Sequence, residues 1–172
     1  MCRIAGIIDK HKDPSQLIND VQQMCNVMAH GGPDDEGYFY CKHEGIAFGH
    51  RRLSLIDLSD AGHQPMTYQN QLTITFNGEI YNYLDLKKSL LDFGLNFKTN
   101  SDTEVILAGF AYWGTDLFGK LVGMFAFALH DQKDNLTYLV RDAEGIKPLY
   151  YSVINHQLTF ASEVKAFSKI GK

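Results

Sequence analysis

The chain has 172 residues with a net charge of −4, and its lysines and arginines are scattered, which argues against a phosphate-backbone footprint and so against nucleic acid as a partner. Its three cysteines, Cys2, Cys25 and Cys41, are odd in number and widely spaced, which excludes a disulfide framework and a Cys/His zinc site. No run approaches the ~20 apolar residues of a membrane span and no signal-peptide pattern opens the chain, so the expectation is a soluble cytoplasmic protein of one domain.

In chain order, Arg3 to Asp9 reads as a short apolar strand. Gln16 to Met28 follows as a helix, with Leu17, Ile18, Val21, Met24, Cys25 and Met28 at helical spacing, so Cys25 faces a core. Cys41 ends a strand from Gly37 and reads, like Cys25, as a packed thiol. Gly31-Gly32-Pro33-Asp34 marks a tight loop, and Ile46 to Ile56 and Leu72 to Phe76 are rich in strand formers. A second helix covers about Asn82 to Phe93, with Gly94 placed to close it. Ser101-Asp102-Thr103-Glu104 has the spacing of a capping box and opens a third helix, nearly all apolar from Val105 to Trp113 and therefore buried on most sides. Met124 to His130, Leu136 to Arg141, Leu149 to Val153 and Gln157 to Ala161 complete the strands. The pattern predicts a layered α+β fold, with sheets packed on each other and helices outside.

Cys2 directly follows Met1. It is either a buried small hydrophobe or, once Met1 is trimmed, a nucleophile whose own α-amine serves as base. Such an amine titrates near 7.7 to 8.0, so a fraction is neutral at cellular pH and close enough to take the thiol proton. Acyl transfer is the chemistry this suggests, and it also requires oxyanion donors. Asn77-Gly78 offers a side-chain amide and an N–H without an obstructing Cβ, although the same pair after an apolar run is a common turn. An amino-acid substrate needs partners for its carboxylate and ammonium. Arg51 and Arg52 are neighbours on a strand, so only one of them enters a given pocket. Asp102 is a partner for an ammonium, or else a carboxylate that complements a helix dipole.

Eight ordered segments carry a resemblance. They are Met1-Cys2 with Ile4-Ala5-Gly6-Ile7; His30-Gly31-Gly32-Pro33-Asp34; His50 to Asp57; Gly62-His63-Gln64-Pro65-Met66; Asn77-Gly78-Glu79-Ile80-Tyr81-Asn82; Ser101 to Glu104; Arg141-Asp142 with Gly145 to Tyr151; and Phe160-Ala161-Ser162-Glu163. Together they span essentially the whole chain, which resembles the N-terminal glutaminase domain of glutamine-dependent asparagine synthetases, a branch of the class II N-terminal-nucleophile amidotransferases. The resemblance implies a four-layer αββα sandwich over residues 2 to 172. It implies hydrolysis of L-glutamine through a glutamyl thioester on Cys2, with the ammonia supplied to an ATP-dependent domain that converts aspartate to asparagine. Asn77 and Gly78 would form the oxyanion hole. Arg52 would hold the glutamine carboxylate, with Leu53, Ser54, Leu55 and Ile56 lining that pocket. Glu79 would border the substrate and Asp102 would hold its ammonium. No metal or cofactor is implied for this domain; ATP and magnesium belong to a synthetase domain that this chain does not include. That domain would be the partner, in the same longer chain or as a separate subunit, and a homodimer is also open.

Two departures qualify the match. The family usually carries Arg between His and Gly where this chain has Gly31, with Arg3 standing where a small residue is common; and asparagine synthetases follow this domain with an ATP-using synthetase domain, whereas this chain stops soon after Phe160-Ala161-Ser162-Glu163. The missing guanidinium predicts that Gly31→Arg raises turnover. It also keeps open a second reading, a non-catalytic glutamine-sensing module. A third reading is an amidotransferase domain of an asparagine-synthetase-like enzyme with a different acceptor.

Overall fold

A computed structural model describes residues 2–53 and 62–170. Strand β1 (Arg3–Ile8) is central to a five-stranded sheet with β2 (Asp35–Cys41), β3 (Ile46–Arg52), β8 (Tyr150–Ile154) and β9 (Gln157–Ala161), ordered β2-β3-β1-β9-β8. A second sheet holds β4 (Met66–Tyr68), β5 (Leu72–Ile80), β6 (Gly123–Asp131) and β7 (Leu136–Arg141), in that order. Every described pairing is antiparallel.

Side-chain alternation sorts β1 between two cores. Ile4 joins Ile46, Phe48, Ala128 and Phe160 between the sheets, whereas Ala5 and Ile7 face the opposite way. There they meet Leu17, Val21, Met24 and Cys25 of helix α1 (Pro14–Val27). Burial pushes the Cys25 thiol up to about 12, the state of a packed sulfur and not of a reactive one. Helices α2 (Tyr83–Asp92) and α3 (Asp102–Trp113) cover the far face of the second sheet through Leu86, Leu90, Val105, Ile106 and Phe110. The layers therefore run helix, sheet, sheet, helix, as expected.

Several element ends differ from the sequence reading. Helix α2 closes as expected: Gly94, at φ +85, and Leu95 donate back to Leu91 and Leu90, satisfying carbonyls that the helix end leaves over. The capping box is only half present. Ser101 Oγ accepts from Thr103 N at 3.1 Å, but Glu104 does not reach back to Ser101. Its carboxylate instead accepts from Lys98 N at 2.8 Å and from Thr99 N and Thr99 Oγ1, both at 2.7 Å, tying down the loop before the helix. Asn77-Gly78 is not a turn: β5 runs on to Ile80 and stays paired with β6 throughout. None of the described helices is long and apolar enough to cross a membrane.

Candidate active site

The site lies where β1, the end of β3 and the end of β5 meet. Cys2 immediately precedes β1, and alternation turns its side chain to the face of Ile4, toward the second sheet. The half-buried thiol lies against Leu53, whose N–H donates to Sγ at 3.4 Å and whose carbonyl accepts from it at 3.5 Å. Burial pushes the thiol above its ordinary value, opposed by the Leu53 N–H and more weakly by Arg52. Cys2 is therefore protonated at rest and needs a base to become a nucleophile.

The two arginines of β3 separate as strand geometry demands. His50 Nε2 lies 3.0 Å from Phe76 O, so this face of β3 looks onto the second sheet, and Arg52, two residues on, shares it. Arg52 is buried, at 8% exposure. Arg51 points to the other face, where it ion-pairs with Glu36 near Cys25. Ser54, Leu55 and Ile56 lie outside the described residues.

Strand β5 supplies the next group. Asn77 is 1% exposed, and neither its Nδ2 nor its Oδ1 has a hydrogen-bond partner. Gly78 pairs with Phe125 so closely that a Cβ would sit 2.3 Å from Met124 O and 2.6 Å from Phe125 Cα. The ladder also gives the direction of its N–H. Phe125 N and O are taken by Asp142, so Gly78 and Phe125 form a non-hydrogen-bonded pair and the Gly78 N–H points off the open edge of β5. On that edge Phe76 N donates to Gln64 Oε1 at 2.7 Å and Ile80 N donates to Asp102 Oδ2 at 3.0 Å. Gly78 N–H falls between them.

Asp102, the first residue of α3, thus faces the same edge. Burial pushes its carboxyl up to about 6, and the nearby Glu79 charge adds to this. Glu79 is half-buried and also neighbours Lys147. Lys147 is the residue for which the sequence motif gave no role. It is fully buried on a loop whose N–H groups at Ile146 and Lys147 donate to Asp142 at 2.8 and 3.0 Å. Burial lowers its ammonium from the usual lysine value, opposed by the negative charges of Glu79 and Asp142. A lysine within an otherwise apolar and aromatic run, after the tight turn at Gly145, was the available signal. Among the described residues no cluster of His, Cys, Asp and Glu is placed to hold a metal.

This layered fold, with a cysteine leading its central strand, is that of the N-terminal-nucleophile amidotransferases. The solved structure of glutamine phosphoribosylpyrophosphate amidotransferase from Bacillus subtilis superposes with a TM-score of 0.79 at 20% identity, covering 97% of this chain and 43% of that one. The family model for the glutamine amidotransferase domain matches residues 1–171, and the chain belongs to that family. Its relatives include asparagine synthetase [glutamine-hydrolyzing] 1 of Bacillus subtilis, 45% identical over 96% of this chain and 26% of the relative. A putative asparagine synthetase of Methanocaldococcus jannaschii is 39% identical over 96% of this chain and 34% of its own. Amidase chry2 of Gibberella zeae is 36% identical over 92% of this chain and 24% of its own. The chain thus spans about a quarter to a third of the length of these relatives.

Proposed function

We propose that this domain hydrolyses L-glutamine to glutamate and ammonia on Cys2, and that in a longer protein the ammonia serves an ATP-dependent synthetase domain that converts aspartate to asparagine. The observation that carries the reading is Asn77: a buried side-chain amide without a partner, next to a glycine whose N–H points off the open edge of β5. Such donors suit a charge that exists only during reaction.

With Met1 removed, the Cys2 amine takes the Sγ proton and the sulfur attacks the side-chain amide carbon of glutamine. The resulting oxyanion accepts hydrogen bonds from Asn77 Nδ2 and Gly78 N. As the intermediate collapses, the amine returns its proton to the departing nitrogen, and ammonia leaves a glutamyl thioester. Water then loses a proton to the amine and attacks the thioester, and glutamate departs with the thiol restored. Arg52 holds the substrate carboxylate, with Leu53 beside it. Asp102 holds the ammonium and Glu79 borders it.

Cys2→Ala is expected to abolish ammonia release while leaving circular dichroism and the melting temperature near wild type; ammonia release retained by that variant would refute the mechanism. The acceptor is decided elsewhere in the longer protein. A different acceptor is the second reading, favoured by the relative named amidase chry2. Amide-labelled glutamine given to the full-length protein with ATP and aspartate distinguishes the two, since only the first reading yields labelled asparagine.

A further inference from the structure

Behind the nucleophile lies a cluster that the proposed mechanism does not use. Alternation sends the Arg3 side chain away from the Cys2 thiol, and its guanidinium folds back so that Nη1 donates to Cys2 O at 3.0 Å. Arg3 Nε is ion-paired with Glu163 Oε1. The same carboxylate meets His30 Nε2 at 3.1 Å and Lys165 Nζ at 3.0 Å. Gly31 provides the seat: a Cβ there would lie 2.6 Å from Arg3 Cζ and 2.7 Å from both Cγ and Nε. Any larger residue at position 31 must displace this side chain.

The chain end is where order is hardest to keep. Ile4 is secured on both sides, since its N–H donates to Ser162 Oγ and its carbonyl accepts from Ser162 N, each at 2.9 Å. Upstream of Ile4, the Arg3 guanidinium grips the Cys2 carbonyl. Fixing that carbonyl fixes the peptide plane from which both the Cys2 amine and the Cys2 side chain project.

We infer that Arg3 is a positioning residue for the nucleophile, seated on Gly31 and anchored by Glu163, and that Gly31 is required because it leaves room for Arg3. This rests on the reading of Cys2 as nucleophile. It reverses the expectation that Gly31→Arg raises turnover, because a side chain at position 31 pushes Arg3 off Cys2.

A double-mutant cycle in the full chain tests it, using Arg3→Ala, Gly31→Ala and the pair, with glutaminase kinetics, the rate of Cys2 alkylation by a diazo-ketone analogue of glutamine, and melting temperature. Each single variant is expected to lower kcat and the alkylation rate by about 10- to 100-fold, the cost of a nucleophile displaced by roughly 1 Å, with KM within about threefold. Gly31→Ala is expected to have no further effect once Arg3 is gone, because the seat is then empty. Equal losses from Gly31→Ala in both backgrounds, or an Arg3→Ala variant with wild-type kcat, would overturn the inference while the glutaminase reading stands. Wild-type protein that releases no ammonia would overturn both. Gly31→Ala retains Arg3 and tests the seat by itself: a wild-type kcat and alkylation rate in that variant would overturn the inference even if Arg3→Ala proves too unstable to assay.

Discussion

Asn77 burdens the resting fold, since a buried amide without a partner costs about 1–3 kcal/mol. Thr75, two residues earlier on the same face, is also buried but has a partner in Gly49 O, whereas Asn77 has none. In the proposed mechanism the same amide faces an oxyanion, where loss of one donor typically costs about 10²- to 10³-fold in rate. Asn77→Ala is therefore expected to be as stable as the wild type, or more stable by about 1 kcal/mol, while kcat falls by about two to three orders of magnitude. Paired denaturation and kinetic measurements check this; a variant that loses stability and rate together would make Asn77 structural. The protonated thiol fits the same pattern. Burial keeps Cys2 neutral until a base arrives, so the resting site carries no thiolate to be oxidised or alkylated at random.

Elements, more than single residues, explain what the sequence did and did not disclose. Helix α3 was legible because Ser101 and the apolar run after it are local signals. The destination of Glu104 was not, because its partners Lys98 and Thr99 precede the cap and only the folded loop brings them round. The Asn77-Gly78 pair was structurally ambiguous. A glycine there signals a turn when read locally, whereas the fold needs it so that the backbone at Met124 and Phe125 can approach, a constraint from a strand more than 40 residues on. Glu104 gives the test at this scale. Glu104→Ala leaves the N–H groups of Lys98 and Thr99 without their acceptor, and about 2–3 kcal/mol of stability is expected to go, with Glu104→Gln losing less because one acceptor oxygen remains. Urea midpoints of the two variants measure it; an unchanged midpoint in Glu104→Ala would show that water replaces the carboxylate.

Across the whole molecule the two sheets meet through a mostly apolar core, crossed by a few polar ties. Thr75 Oγ1 donates to Gly49 O at 3.2 Å, and His130 bonds Glu44. His50 reaches Phe76 O, and since that carbonyl only accepts, Nε2 carries the hydrogen; burial, which disfavours the charged form, keeps the ring neutral. The layering was legible from periodicity, but the strand order β2-β3-β1-β9-β8 was not, because it joins the two ends of the chain at β1 and β9 and no local pattern encodes that. One consequence appears only at this scale. Burial lowers His50 to about 4, whereas burial raises Asp102 to about 6. On acidification from about pH 6.5 to 4 the unfolded chain protonates His50 first, so this group withdraws about 3 kcal/mol of stability, to order of magnitude. Over nearly the same window, from about 6 to 4, folded Asp102 binds its proton before the unfolded chain does, and this returns about 3 kcal/mol. The two opposed terms largely cancel in the wild type between about pH 4.5 and 6.5, and the lowered carboxyls of Asp35, Asp142 and Glu163, common to the wild type and to variants of either group, withdraw stability toward the acid end of that interval. Asp102→Asn is expected to expose the His50 term, so that stability falls steadily toward pH 4.5. His50→Gln, which keeps a donor for Phe76, is expected to expose the Asp102 term, so that stability rises over the same range. Denaturation midpoints of the three proteins across that interval decide it. Parallel profiles would mean that neither group titrates as its burial requires.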